Sequence, residues 1–155
     1  MHSSVEVRPI GYSEIIGMCK YHLWKDRVDP IKPMSSMVLD GGFDMKIYEK
    51  YQPFFFGLFV DHQLVGVNSC HLSQEGQMRS RGLFVDEGCR GRGFAQRLLA
   101  AVEQVALDQG CSLIWSYPRL TSLSTYQKFG FSLYAETVPA SRDHVYAVKR
   151  LTSNQ

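Results

Sequence analysis

Net charge is the first thing this chain has little of. Its 155 residues carry 17 Lys and Arg against 15 Asp and Glu, a balance of +2. A surplus that small excludes the broad basic face that nucleic acid or an anionic membrane surface requires. Long apolar runs are also missing, and no stretch approaches the ~20 residues that span a bilayer. The opening "MHSSVEVRPIGYSE" has no apolar signal core, so a cytoplasmic setting is expected. Only four cysteines occur, Cys19, Cys70, Cys89 and Cys111, scattered and without a CxxC pair. They read as reduced thiols, and neither a disulfide frame nor a metal site is expected. Internal repeats, low-complexity tracts and linkers are absent too. With 45% hydrophobic and 21% charged residues, the chain is expected to form one domain over 1–155 around a single core.

What is present is a change of period along the chain. "VEVRPI" alternates as a strand does, and Ser13 can cap a helix running to about Trp24. The breaker-rich stretch that follows predicts a loop with a short helix at Ser35–Leu39, and "FDMKIYEKYQP" predicts another helix before Pro53. "FFFGLFV" and "LVGVNSCHL" flank "DHQ" as a hairpin, and "SQEGQ" turns into "MRSRGLFV", so three antiparallel strands are expected between about 54 and 85. Ala95, Leu98, Leu99, Val102, Val105 and Ala106 then recur at spacings of three and four, the face of a helix that Gly110 stops. "CSLIWSY" follows as a strand. Strand, helix and strand imply a right-handed crossover, and hence a mixed sheet. A helix near Thr121–Lys128 and the strands "FSLYAE" and "HVYAVKRL" complete an α+β chain of about seven strands and four helices.

The chemistry points to the loop Arg90, Gly91, Arg92, Gly93, between an apolar strand and the long helix. Backbone amides at a helix start lack intrahelical partners, the dipole adds positive character, and glycines let a phosphate approach. Arg90 and Arg92 could add forked donors. On its own this loop is either a pyrophosphate site or a plain turn with solvated arginines. A P-loop is excluded, because Phe94 and Ala95 follow Gly93 where Lys and Ser or Thr are required. A dinucleotide fingerprint is excluded as well. Gln96 takes the place of its third glycine, and "WSYP" stands where an acidic residue should end the next strand.

"LFVDEGCRGRGFAQRLL" resembles motif A of the Gcn5-related N-acetyltransferase (GNAT) superfamily, and "YQKFGF", Tyr126–Phe131, resembles its second signature. The predicted element order matches that family along nearly the whole chain. The resemblance implies the GNAT fold and an acyl-CoA-dependent N-acyltransferase. Acetyl-CoA would be the co-substrate, no metal would be needed, and an amine would attack the thioester directly. Arg90, Gly91, Arg92, Gly93, Phe94 and Ala95 would then hold the pyrophosphate, and Leu83, Phe84 and Val85 the pantetheine arm. The backbone amide near Val85 would face the oxyanion, and Tyr126 would protonate the leaving thiolate. The acceptor implied is a small primary amine, with a peptide or protein amine, or a non-catalytic acyl-CoA sensor, as alternatives. Family members are often dimers, so a homodimer is an expectation too.

The sequence departs from the family at two places. Gly82 stands where many relatives carry a glutamate base, which leaves His71, Asp86, Glu87 or a water chain as substitutes. Of these, His71 reads first as a structural histidine. Arg119 occupies the position of an asparagine that often contacts the cofactor; it could reach a CoA phosphate or be a plain loop residue. Ser122 and Ser124 read as helix-start residues. The acceptor is expected near His22, Trp24, Lys25, Asp26, Arg27, Asp29, Ser35 and Ser36, whose mixed chemistry names no substrate.

Overall fold

A computed structural model describes residues 4–22 (side chains to 18), 32–39, 41–134 and 143–151. Among these the strands are β1 (Val5–Pro9), β2 (Phe54–Val60), β3 (Gln63–Gln74), β4 (Gln77–Val85), β5 (Leu113–Ser116), β6 (Ser132–Leu133) and β7 (Ala147–Arg150). The helices are α1 (Tyr12–His22), α2 (Ile47–Lys50), α3 (Phe94–Asp108) and α4 (Leu123–Phe129). One seven-stranded sheet runs β1-β2-β3-β4-β5-β7-β6. Only β4 and β5 are parallel, joined by the α3 crossover; every other neighbouring pair is antiparallel. The mixed α+β sheet expected from the sequence is therefore present.

Local chemistry explains the turns. Asp61 and His62 both have positive φ, 48° and 73°, the pattern of the tight hairpin turn joining β2 to β3. Gly11 N–H donates to the Glu14 carboxylate at 3.2 Å, so α1 begins one residue before the expected cap at Ser13. The long helix buries Phe94, Leu98, Leu99, Val102 and Ala106, the face predicted from periodicity together with its first residue. Leu99 and Val102 pack on Met78, Ile114 and Tyr126 on one side of the sheet. On the other side Trp115, Leu113 and Val148 pack against Leu39, while Ile15 of α1 packs on Val67.

The short helix expected at Ser35–Leu39 is not formed. Its amides are bound elsewhere: Ser35 N–H goes to His71 Nε2 at 3.3 Å, Met37 N–H to Ser35 Oγ at 3.1 Å and Val38 N–H to Gly42 O at 2.9 Å. Serine hydroxyls compete with helical bonding in this way. The helix predicted from Phe43 shrinks to Ile47–Lys50.

Candidate active site

The central feature is a seam that opens. β4 and β5 pair only at Gln77↔Leu113, Met78↔Ile114 and Arg79↔Trp115. Beyond Arg79, β4 continues to Val85 along β3 alone. The gap between the diverging strands is a cleft of about 980 Å³. At its apex Ser116 Oγ donates to Ser80 O at 2.9 Å.

The stretch of β4 beyond Arg79 is shaped by a bulge. Val67 pairs with Phe84 and Ser69 with Arg81, so β4 carries one residue more than β3 between those pairs. Gly82 sits in that bulge with φ +80°, a conformation a glutamate would adopt only under strain. The glycine that stands in the place of the family's base is thus the residue the backbone requires there. Farther along, Asp86 N–H donates to Val65 O at 2.8 Å, and the alternation of an antiparallel ladder turns the Val85 N–H and C=O to the opposite, cleft-side edge. The Val85 carbonyl accepts Arg90 Nε there at 2.9 Å.

The cleft runs past Leu83, Phe84 and Val85 to the loop before α3, where Arg90, Gly91, Gly93, Phe94 and Ala95 line it. Arg92, exposed between the lining residues Gly91 and Gly93, does not itself line it. Gly91 and Gly93 have φ +81° and +79°, and a Cβ built on either meets no atom within 4 Å. Conformation rather than crowding requires glycine, and the space above the amides stays open. No side chain caps α3, which leaves its first amides without an intrahelical or capping acceptor. Phe94, buried with Leu58, Val65 and Leu98, anchors the helix start.

Tyr126 forms the opposite wall. It is 5% exposed, stands edge-on to Phe131 at 5.3 Å, and is hydrogen-bonded to Ser116. Burial raises the phenol pKa above its usual value, against smaller downward pulls from Ser116 and Arg79, so it keeps its proton at neutral pH. Arg119, just before the 3-10 turn Leu120–Ser122, also lines the cleft and is bridged through its backbone to His144. Ser122 and Ser124 line it as well, and Gln96, which periodicity leaves unremarked, ties α3 to Thr125 O at 3.0 Å.

The substitute bases fare unequally. His71 is fully buried, with Nε2 accepting from Ser35 N–H at 3.3 Å and Nδ1 donating to Leu72 O at 3.0 Å. Burial holds its pKa down to about 4, with Arg79 and Arg81 adding to the effect. It is a satisfied structural histidine, not a base. Asp86 and Glu87 do not line the cleft. His144 does, stacked on Tyr117 with ring centroids 5.0 Å apart, and burial lowers its pKa from the usual value, with Arg119 adding to the effect. It is therefore neutral at pH 7, and no motif pointed to it. Of the expected acceptor residues, Ser35 lines the cleft, while Ser36 gives its carbonyl to Asp44 N–H at 2.7 Å. Trp24, Lys25, Asp26, Arg27, Asp29 and the His22 side chain lie outside the described residues. Among the described residues no His, Cys, Asp and Glu cluster could hold a metal, and no helix is long and apolar enough to cross a membrane.

No curated protein matches the sequence. Solved structures do match in shape. They include the N-acetylglutamate synthase of Neisseria gonorrhoeae complexed with coenzyme A and N-acetyl-glutamate (15% identity, TM-score 0.68), a comparison covering 98% of this chain and 36% of that one. The PaiA N-acetyltransferase of Thermoplasma acidophilum in complex with coenzyme A is similar over 96% of this chain and 99% of that one (13% identity, TM-score 0.67). A GNAT-family acetyltransferase of Staphylococcus aureus Mu50 is similar over 96% and 100% (16% identity, TM-score 0.68). At these identities the likeness is one of fold. Residues 14–131 match the acetyltransferase (GNAT) family in sequence. With the sheet splayed beyond Arg79 and both signature stretches lining the gap, the chain belongs to the GNAT family of acyl-CoA-dependent N-acyltransferases.

Proposed function

We propose that the protein, acting as a single domain in the cytoplasm, transfers an acetyl group from acetyl-CoA to the primary amine of a small molecule within a ternary complex. One observation carries the reading: a single cleft joins the glycine loop, the edge of β4 beyond its pairing with β5, and Tyr126. The open amides before α3, with Arg90, suit the pyrophosphate. The edge at Leu83, Phe84 and Val85 suits the amide-bearing pantetheine arm. Arg119, which lines the same cleft, is assigned to a CoA phosphate.

Three tasks remain for the protein's own groups. The Val85 N–H faces the developing oxyanion. Tyr126 gives its proton to the departing thiolate as the carbon–sulfur bond breaks. The amine's proton goes to neutral His144, directly or through water. The free thiols of Cys70, Cys89 and Cys111 fit a reducing cytoplasm.

The test is thermal shift with CoA and acetyl-CoA, followed by thiol release over a panel of small amines and amine-terminal peptides. Stabilisation by both ligands, with turnover of small amines, is expected. No stabilisation by either overturns the co-substrate assignment, and turnover confined to peptides overturns the acceptor class.

A further inference from the structure

Arg79 is the last residue of β4 paired with β5. It lines the cleft yet is only 8% exposed. Its Nε and Nη1 are buried without a hydrogen-bond partner. The guanidinium lies over the Trp115 ring, 4.9 Å from the centroid. An aromatic face eases a buried cation but does not satisfy its N–H groups. Burial first, and then Arg81, pull its pKa down from the ordinary value, as befits a charge short of a counterion.

Among the described residues the neighbourhood supplies no anion. The described cleft lining holds Arg79, Arg81, Arg90, Arg119 and Lys128 but no Asp or Glu. His71, opposite Arg79 on β3, is neutral, and Arg81 gives Nη1 to Lys32 O at 2.7 Å. The phosphates of a bound CoA do not meet the need either. Arg79 lies six residues before Val85, so roughly 20 Å of strand separates it from the edge leading to the phosphate loop. From Arg79 to Leu83 is about 13 Å of strand, less what the bulge takes up.

We propose that the acceptor is an amino acid or a related amine bearing a carboxylate, and that Arg79 binds that carboxylate through its unpaired N–H groups. This rests on the acyl-transfer reading above and names its substrate class. A guanidinium N–H makes a charge-assisted hydrogen bond to a carboxylate, and a buried, water-poor setting strengthens it. The carboxylate fixes the acceptor at the apex, with its amine directed along β4 toward the thioester.

The experiment compares matched acceptors in the thiol-release assay with wild-type protein. Amino acids, including dicarboxylic and ω-amino acids, are set against their amides and decarboxylated amines. At least one acid is expected to exceed its carboxylate-free partner by about 30-fold or more in kcat/KM. Arg79→Met should raise the KM for that acid by a similar factor with the KM for acetyl-CoA unchanged, and Arg79→Lys should recover part of the loss. Equal or better use of the carboxylate-free partners, or turnover of no acid in the set, overturns the inference. So does an Arg79→Met variant that is folded, binds CoA and keeps the wild-type preference. Loss of CoA binding by the wild type would instead overturn the acyl-transfer reading, so the two failures are distinguishable. The matched comparison stands even if the Arg79 variants do not fold.

Discussion

The hydroxyl of Ser116 donates to the carbonyl of Ser80 at 2.9 Å, each one residue past the last paired position of β4 and β5. The bond ties the strands at the point where the ladder stops. The same Ser116 side chain neighbours the Tyr126 phenol, whose pKa it pulls down against the larger effect of burial. A side-chain contact thus marks the apex of the cleft, with Tyr126 beside it.

Tyr126→Phe keeps the ring against Phe131 and removes the proton. We expect kcat to fall by about 10²- to 10³-fold, with CoA affinity little changed. Lost stability should be about 1 kcal/mol, for one buried hydrogen bond. Single-turnover kinetics and CoA titration check both. An unchanged chemical step would remove Tyr126 from the acid role.

His144→Gln tests the base. A neutral imidazole with a lowered pKa gives a kcat/KM that rises with pH through a value below 6.5. The variant should lose that acid limb and run slower on the plateau. Retention of the limb would assign it to another group.

Gly93 separates strain from charge. With φ +79°, Gly93→Ala costs roughly 1 kcal/mol of stability, whereas Asp tolerates this conformation better. Gly93→Asp should be the more stable variant yet bind CoA more weakly, because its carboxylate faces phosphate. Calorimetry read alongside CoA titration decides it. Equal CoA affinity in both variants would move the pyrophosphate off this loop.

Restoring the family's glutamate at Gly82 is not expected to help. The φ of +80° in the bulge should cost Gly82→Glu about 1–2 kcal/mol, lowering Tm by several degrees. No gain in kcat is expected. A faster, equally stable variant would show that the bulge accommodates a base after all.

His71 makes stability depend on pH. Its folded pKa, about 4, lies below the unfolded value near 6.5. Between those values the unfolded chain binds more protons, so stability rises with pH across the window. As pH falls from 6.5 to 4, up to about 3 kcal/mol should be lost. Denaturant titrations at several pH values read the slope, and His71→Gln should flatten it. A wild-type slope that the variant retains would place the titration elsewhere.

Much of this was legible in the sequence where physics is local. The α3 face followed from spacing, and Gly110 and Gly130 ended their helices with φ +73° and +112°. The two signature stretches marked both walls of the cleft. Long-range facts were not legible. That Ser35 N–H would be taken by His71, 36 residues away, has no local signal, so the segment read as helix. His144 and Arg79 reach the cleft through strand register, which no short pattern encodes. The spacing of loop arginines likewise could not say that Arg90 faces the cleft while Arg92 does not.

The three-pair seam between β4 and β5 has a consequence for redesign. One end of the cleft is drawn from a nearly contiguous run, Leu83 to Gln96, whereas the apex gathers Arg79, Ser116, Tyr117 and His144 from separate parts of the chain. The width of the opening belongs to the backbone, which parts after Arg79, rather than to any lining side chain. The apex can therefore be re-cut for a new substrate by point substitution while the other end is left as inherited, and gains made at the two ends should combine nearly additively.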